Sequence, residues 1–234
     1  MNKENEVISK RLLAVASFVK EGQTLYDVGS DHAYLPSYLL KTGKIPRAFV
    51  SDIALGPLSK AKKTLNESGQ ISRAEIIQSD GLKSRALIPP CCVSIAGMGG
   101  ELICKIIDEK PSLKDKRVRL ILQPMTRPEI LRKYLTDNGF EISKETTVLD
   151  GKPFSVLVCS YSGKKTQLSD GELLMGAEGV REENPAFFAL AQKKLGQLVS
   201  VTEGKKLGKQ DTEKEEKLIE YLKNLTGVAK YDNQ

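Results

Sequence analysis

Between Thr24 and Tyr161, short apolar runs alternate with amphipathic helical stretches, and this alternation constrains the fold more than any other feature of the chain. Strand-like runs fall at 24–28, 47–52, 75–78, 92–96 and 118–123, while helical spacing marks 6–19, 33–41, 57–67, 101–109 and 128–138. Parallel neighbours need a crossover between them, and a helix is the usual one, so the pattern predicts a mainly parallel sheet covered on both faces. Two longer strand-like runs, 141–149 and 154–161, meet at Asp150-Gly151-Lys152, a good hairpin turn. The last strand is therefore antiparallel, in a hairpin at one edge of a seven-stranded α/β sheet.

The character changes after Ser162-Gly163-Lys164-Lys165. Asn184-Pro185 reads as a helix start, followed by an apolar stripe of Phe188, Ala191, Leu195, Leu198 and Val201. Gly208 interrupts, and Thr212 with Glu215 reads as a capping box for a second helix with its own stripe at Leu218, Ile219, Leu222 and Leu225. The expected organisation is a sheet domain over 1–163 and a small C-terminal helical domain over 164–234, an antiparallel hairpin of helices. The alternative is that both helices simply pack on the sheet.

No apolar run approaches the roughly 18 residues that cross a bilayer, and the polar start Met1-Asn2-Lys3-Glu4 is unlike a secretory signal, so a cytoplasmic protein is expected. The net charge is +6. From Lys164 onward twelve acids balance twelve bases, which places the basic excess in the sheet domain. Such an excess suits a polyanion such as nucleic acid, although it also serves solubility. The single histidine, His32, and four cysteines without a Cys-x-x-Cys pair exclude the common zinc sites. Cys91, Cys92, Cys104 and Cys159 are expected to be buried, reduced thiols, and no metal is expected.

The richest segment is Asp27-Val28-Gly29-Ser30-Asp31-His32-Ala33, where the first strand meets its helix. Ligands of open α/β sheets bind at the carboxyl ends of the strands, near the switch in strand order. A dinucleotide fingerprint there carries three glycines to admit a pyrophosphate, whereas this loop has one. Asp27 puts negative charge at the same place, which favours a cationic ligand free of phosphate. The sulfonium and amino acid portion of S-adenosyl-L-methionine has that chemistry. Asp52, followed by Ile53, ends the second strand near the spacing at which an acid holds ribose hydroxyls. Asp80-Gly81 follows the third, placed to accept from an adenine amino group. Each acid alone reads more simply as a turn or cap; three in successive turns point to one ligand.

Ala96-Gly97-Met98-Gly99-Gly100 ends the fourth strand and allows close backbone contact with a flat ligand or a target base, or else a tight turn. Gln123-Pro124-Met125 ends the fifth and sets a side-chain amide beside the same cleft. The cofactor-binding set is thus Asp27, Gly29, Ser30, His32, Asp52, Ile53, Asp80, Gly81, Ala96 and Gly97, with Gly97, Met98, Gln123 and Pro124 positioning the acceptor. His32 is open between general base, helix cap and pocket lining.

Asp27 to Pro36, Ile95 to Gly100 (Ile-Ala-Gly-Met-Gly-Gly) and Leu120 to Pro124 (Leu-Ile-Leu-Gln-Pro) resemble motifs of the TrmK family of bacterial tRNA (adenine-22, N1)-methyltransferases. Ile8-Ser9-Lys10-Arg11-Leu12 and Gly56-Pro57 are similar as well, so the resemblance spans Ile8 to Tyr161 and extends loosely into the tail. It implies a Rossmann-like class I methyltransferase sheet, a C-terminal coiled-coil-like domain, S-adenosyl-L-methionine as donor with S-adenosyl-L-homocysteine as product, and N1 of an adenine (position 22, on the D-arm side) of tRNA as acceptor. Lys10, Arg11 and the helical tail are then candidates for gripping tRNA; the sequence leaves the oligomeric state open, with a monomer favoured over an oligomer. The chain departs from the family at Met125, where Asn is usual, and at Ser51-Asp52, where Gly-Glu is common. The competing readings are an RNA-binding protein that keeps the fold without catalysis, and a methyltransferase of another acceptor. A dehydrogenase is disfavoured by the missing glycines.

Overall fold

The computed structural model describes residues 8–30 and 32–227. Glu6 and Val7 of the expected first helix, and Asp31 of the first motif, lie outside the described residues. Helix α1 (Lys10–Phe18) begins where the Ser9 side chain accepts from the Leu12 amide. Strand β1 (Thr24–Val28) leads to α2 (Tyr34–Lys41), and β2 (Ala48–Asp52) leads to α3 (Leu55–Glu67). Then come β3 (Ala74–Gln78), β4 (Cys91–Gly99), α4 (Gly100–Asp108), β5 (Val118–Thr126) and α5 (Pro128–Asp137). The hairpin is β6 (Phe140–Asp150) and β7 (Lys152–Tyr161), paired up to Asp150 and Lys152 with only Gly151, at φ +70°, between them.

The seven strands lie in the order β3-β2-β1-β4-β5-β7-β6. Strands β1 to β5 pair in parallel, and β7 runs antiparallel between β5 and β6. The edge strand is therefore β6, with the antiparallel strand one place inward. This is what a hairpin must do when its second strand docks on the sheet. The order of the strands reverses between β1 and β4, with β2 and β3 laid down to one side and β4 and β5 to the other, so the switch point lies where Asp27 stands opposite Ser94. One core cluster packs around Ile103, Ile107, Leu131 and Leu135 of α4 and α5; another packs around Val15, Leu39 and Leu65 of α1, α2 and α3. The sheet is thus buried on both faces, which explains why its central strands read as continuous apolar runs.

Strands β4 and β5 run longer than their apolar runs suggest. The register passes from Ala96 opposite Gln123 to Met98 opposite Pro124, then to Gly99 opposite Thr126. Gly97 is an extra residue on β4 and Met125 one on β5, so two opposed bulges carry the pairing past the apolar segment.

The tail contains a helix the sequence pattern does not reveal, α6 (Asp170–Met175), whose six residues are too few for a period. Here Ser169 and Glu172 form a true capping box. The helices α7 (Pro185–Leu207) and α8 (Glu213–Thr226) follow. Asn184 caps α7 as expected, accepting from the Phe187 amide. The expected box at Thr212 does not form: its hydroxyl bonds Glu216 (3.1 Å), and Glu215 is held instead by Lys205 (2.7 Å). That pair, Lys206 with Glu216, and the packing of Leu222 near Phe187 and Leu190 set α7 and α8 antiparallel.

The tail is tied to the sheet by a buried cation. Arg132 of α5 is fully buried, donates to both carboxylate oxygens of Glu145 on β6, and reaches the Leu173 carbonyl of α6 at 2.7 Å. Backbone bonds between Glu145 and Val180 and between Glu182 and Glu145 extend the seam. Among the described residues, no helix is long and apolar enough to cross a membrane. The four cysteines are free thiols, and burial pushes Cys91 up to about 12.

Candidate cofactor and acceptor site

The carboxyl edge of β1, β2 and β3 is stapled by its own backbone. The Ser51 carbonyl accepts from the Gly29 amide (2.8 Å) and the Ser30 amide (3.2 Å), and the Asp52 carbonyl accepts from Ser79 (2.9 Å). The Ser51 hydroxyl adds a bond to the Gly81 carbonyl (3.3 Å). The ends of the three strands therefore form one ledge, and the acids expected there share it, though in different surroundings.

Asp27 is buried at the switch point, and Oδ1 accepts a hydrogen bond from the Ser94 hydroxyl of β4. Burial raises its pKa to about 6, while bonds from Ser30 and Ser94 pull the other way. Asp52 is half-buried, and its Oδ1 accepts from the Ala54 amide (2.9 Å), closing a turn into α3. Ile53 next to it is 67% exposed, an apolar side chain standing open on the rim. Asp80 is exposed and ion-paired with Lys83, which holds it below the usual carboxylate range and is itself shared with Glu109. Of the three acids, Asp80 has the most competition for a ligand.

Gly29 adopts φ +70°, and a Cβ there would lie 2.0 Å from the Met98 methyl. Any side chain at 29 would displace Met98, so the loop is shaped for close approach across the switch point. Ala33 follows at φ 53°, left-handed for a residue with a Cβ, and α2 starts without a side-chain cap. Such strain, of order 1–3 kcal/mol, tends to gather where a backbone must present itself to a ligand. His32 stacks face to face on Tyr34, with ring centroids 5.0 Å apart, and Tyr34 is exposed. Tyr34 was not among the expected site residues. Nor was Ser94, which lies far from Asp27 in sequence and is found only by pairing β1 with β4.

The three glycines after Ala96 divide into two tasks. A Cβ at Gly100 would meet the Arg127 carbonyl at 2.4 Å, and one at Gly99 would meet the Thr126 hydroxyl at 3.2 Å. These two let the β4–α4 and β5–α5 turns interlock. Gly97 is different: it is exposed, has φ +83°, and heads the bulge. With half-buried Ala96 and Met98 it forms a crest of accessible backbone.

Gln123 and Pro124 lie buried beneath that crest, not on the cleft rim. Gln123 Oε1 accepts from the Gly97 amide (3.0 Å) and from Arg11 Nη1 (2.6 Å), and Nε2 donates to the Pro124 carbonyl (3.0 Å). The bulge turns the side chain under β4, where the stranded Gly97 amide needs an acceptor. Arg11 is turned inward as well, over the Phe154 ring, while Lys10 stays exposed. Successive helix positions point about 100° apart, so adjacent cations in the sequence separate into one inward and one outward.

A switch point with a buried acid, a glycine shaped for close approach and a seven-stranded sheet ending in an antiparallel hairpin define a class I methyltransferase domain. Residues 8–157 match the family described as a methyltransferase domain. The curated tRNA (adenine(22)-N(1))-methyltransferase of Bacillus subtilis strain 168 is 33% identical over 202 residues, 84% of each chain. The chain belongs to this tRNA (adenine(22)-N(1))-methyltransferase family. A Streptococcus agalactiae protein described as a member of the NADB-Rossmann superfamily superposes with a TM-score of 0.82 at 31% identity, covering 96% of this chain and 100% of that one. A Streptococcus pneumoniae protein, provisionally assigned as a tRNA (m1A22) methyltransferase and solved with S-adenosyl-L-methionine, gives 0.80 at 33% identity over 94% and 100% of the two chains.

Proposed function

We propose that this chain transfers the methyl group of S-adenosyl-L-methionine to N1 of adenine 22 of tRNA. The observation that carries the reading is the switch point: a buried carboxylate, Asp27, held by Ser94 of β4, beside a glycine, Gly29, that packs closely against Met98, in a chain with a curated relative named for that atom. When bound, the cofactor supplies a methyl group activated by its sulfonium. Asp27 and Ser30 hold its amino acid end, Asp52 takes the ribose hydroxyls, and Ile53, Asp80 and Gly81 border the adenine. His32 and Ala96 complete the lining.

Adenine N1 carries an in-plane lone pair when neutral, so this chain needs no base to remove a proton before attack. The protein's contribution is to present N1 in line with the methyl group, an effect worth up to roughly 7–11 kcal/mol when alignment is ideal. Gly97 and Met98 supply the crest against which the base rests. Since N1 lies on the pairing edge, the nucleotide must leave its stack to be read. His32 and Tyr34, stacked at the mouth of the loop, offer an aromatic surface beside it.

The domain over 1–163 carries the donor and the chemistry, and in the domain over 164–234 the helices α6, α7 and α8 form a brace that Arg132 ties to the sheet. The protein works as a monomer in the cytoplasm, with Lys10 among its phosphate contacts. Bulk unmodified bacterial tRNA incubated with labelled S-adenosyl-L-methionine, digested to nucleosides, tests the reading. Labelled 1-methyladenosine is the expected product; label in another nucleoside, or none, refutes it.

A further inference from the structure

The Gln123 amide has no hydrogen-bonding capacity left for a substrate. A carboxamide oxygen accepts two bonds and its nitrogen donates two. Oε1 is taken by Arg11 and the Gly97 amide, while Nε2 is spent on the Pro124 carbonyl and, more weakly, on Met125 Sδ at 3.7 Å. Both acceptor bonds come from donors, so the orientation of the amide is fixed. The Gly97 amide has lost its strand partner because the register skips it, and the Gln123 oxygen stands in.

Arg11 reaches this amide from another element. Its own backbone amide is anchored to Asp150 Oδ2 (3.3 Å) at the β6–β7 turn, and its guanidinium lies over Phe154, 6.0 Å from the ring centre. A guanidinium keeps its charge, so the bond to Gln123 is charge-assisted and stronger than a neutral one. Three segments far apart in sequence, at Arg11, Gly97 and Gln123, thus converge beneath the crest.

Resting on the proposed reaction, we infer that Arg11 is a positioning residue for methyl transfer: it locks the Gln123 amide, and that amide sets the Ala96-Gly97-Met98 crest against which the adenine is aligned. It acts through Gln123, without touching cofactor or base. An error of about 1 Å in such an alignment can cost on the order of a hundredfold in rate. The alternative role for this cation, a contact to tRNA phosphate, has a different signature. It changes the affinity for tRNA and the dependence of binding on salt, leaving turnover alone.

The test compares Arg11→Met, Arg11→Lys, Gln123→Met and the Arg11→Met/Gln123→Met double variant in the full chain. Arg11→Met is expected to lower kcat roughly 10- to 100-fold, with the KM for tRNA, the affinity for S-adenosyl-L-methionine and the melting temperature little changed. Arg11→Lys restores part of the loss. The double variant is no slower than the slower single one, because residues acting as one unit are not additive. Amide hydrogen exchange at Gly97 gives a readout independent of activity and should accelerate in both single methionine variants. A raised KM for tRNA with kcat intact and unchanged Gly97 exchange overturns the inference. So does a loss of rate that merely follows a loss of cofactor affinity or of melting temperature. If the unaltered chain methylates no adenine, the proposed reaction fails, while the Gly97 exchange comparison still decides whether Arg11 holds the crest.

Discussion

Replacing Asp27 with Asn should make the protein more stable and less able to bind its cofactor. Asn has nearly the same shape, and its oxygen can still accept from the Ser94 hydroxyl that bonds Asp27 Oδ1. What disappears is a buried charge. A carboxyl raised from 3.8 to about 6 in the folded state favours its protonated form there. The stability it contributes is complete below about pH 4 and is lost as pH rises through 6. Well above pH 6 the folded protein carries a penalty of up to about 3 kcal/mol for keeping Asp27 ionised. Imperfect replacement of the hydrogen bonds leaves an expected gain of about 2 kcal/mol, or some 4–8 °C in melting temperature for a chain of this size. Urea unfolding at pH 7.5 and pH 4.5, with calorimetric titration of S-adenosyl-L-methionine at pH 7.5, provides the assay. The gain should appear at pH 7.5 and shrink at pH 4.5, while cofactor affinity falls roughly 10- to 100-fold through loss of a charged contact. A variant that is less stable at both pH values, or that binds the cofactor as well as the original, refutes the reasoning.

The same acid sets a pH dependence: in the unaltered protein, affinity for the cationic cofactor should decline as pH drops below about 6, because Asp27 takes up a proton, and a titration from pH 5 to 8 measures this. Gly29→Ala places a Cβ 2.0 Å from the Met98 methyl at φ +70°, so cofactor affinity should fall at least about tenfold, with a stability cost of about 1–2 kcal/mol, read by titration and urea unfolding. Arg132→Met leaves Glu145 buried without its cation and should cost about 3–5 kcal/mol, accompanied by faster proteolysis between α5 and α7. Lys10→Ala, at the exposed start of α1, should raise the KM for tRNA and reduce the salt slope of binding by about one, with kcat unchanged.

Much of the fold is legible in the sequence. Runs of uninterrupted apolar residues marked the central strands because both faces of the sheet are buried, and the Asp150-Gly151-Lys152 turn announced the hairpin. The acids at 27, 52 and 80 stand out because they fall at a fixed place in successive strand-to-helix turns. What escaped was whatever depends on register. Gln123 ends an apolar strand and reads as a cleft residue; only the opposed bulges at Gly97 and Met125 turn it inward. Ser94 became visible once β1 was paired with β4. Lys10 and Arg11 look alike in sequence, and only the rotation of α1 against Asp150 separates them. The α6 capping box escaped because six residues carry no readable period, while the Thr212 pattern drew attention to a box whose glutamate is engaged elsewhere.

The central claim is that the site aligns one atom of one nucleotide. Its most direct test is reverse transcription across two tRNA transcripts, one with adenine and one with guanine at position 22, after incubation with the protein and S-adenosyl-L-methionine. A methyl group on N1 blocks pairing, so the account predicts a cofactor-dependent stop at that position in the adenine transcript and read-through in the other. A stop at another position, or equal methyl incorporation into both transcripts, would contradict it.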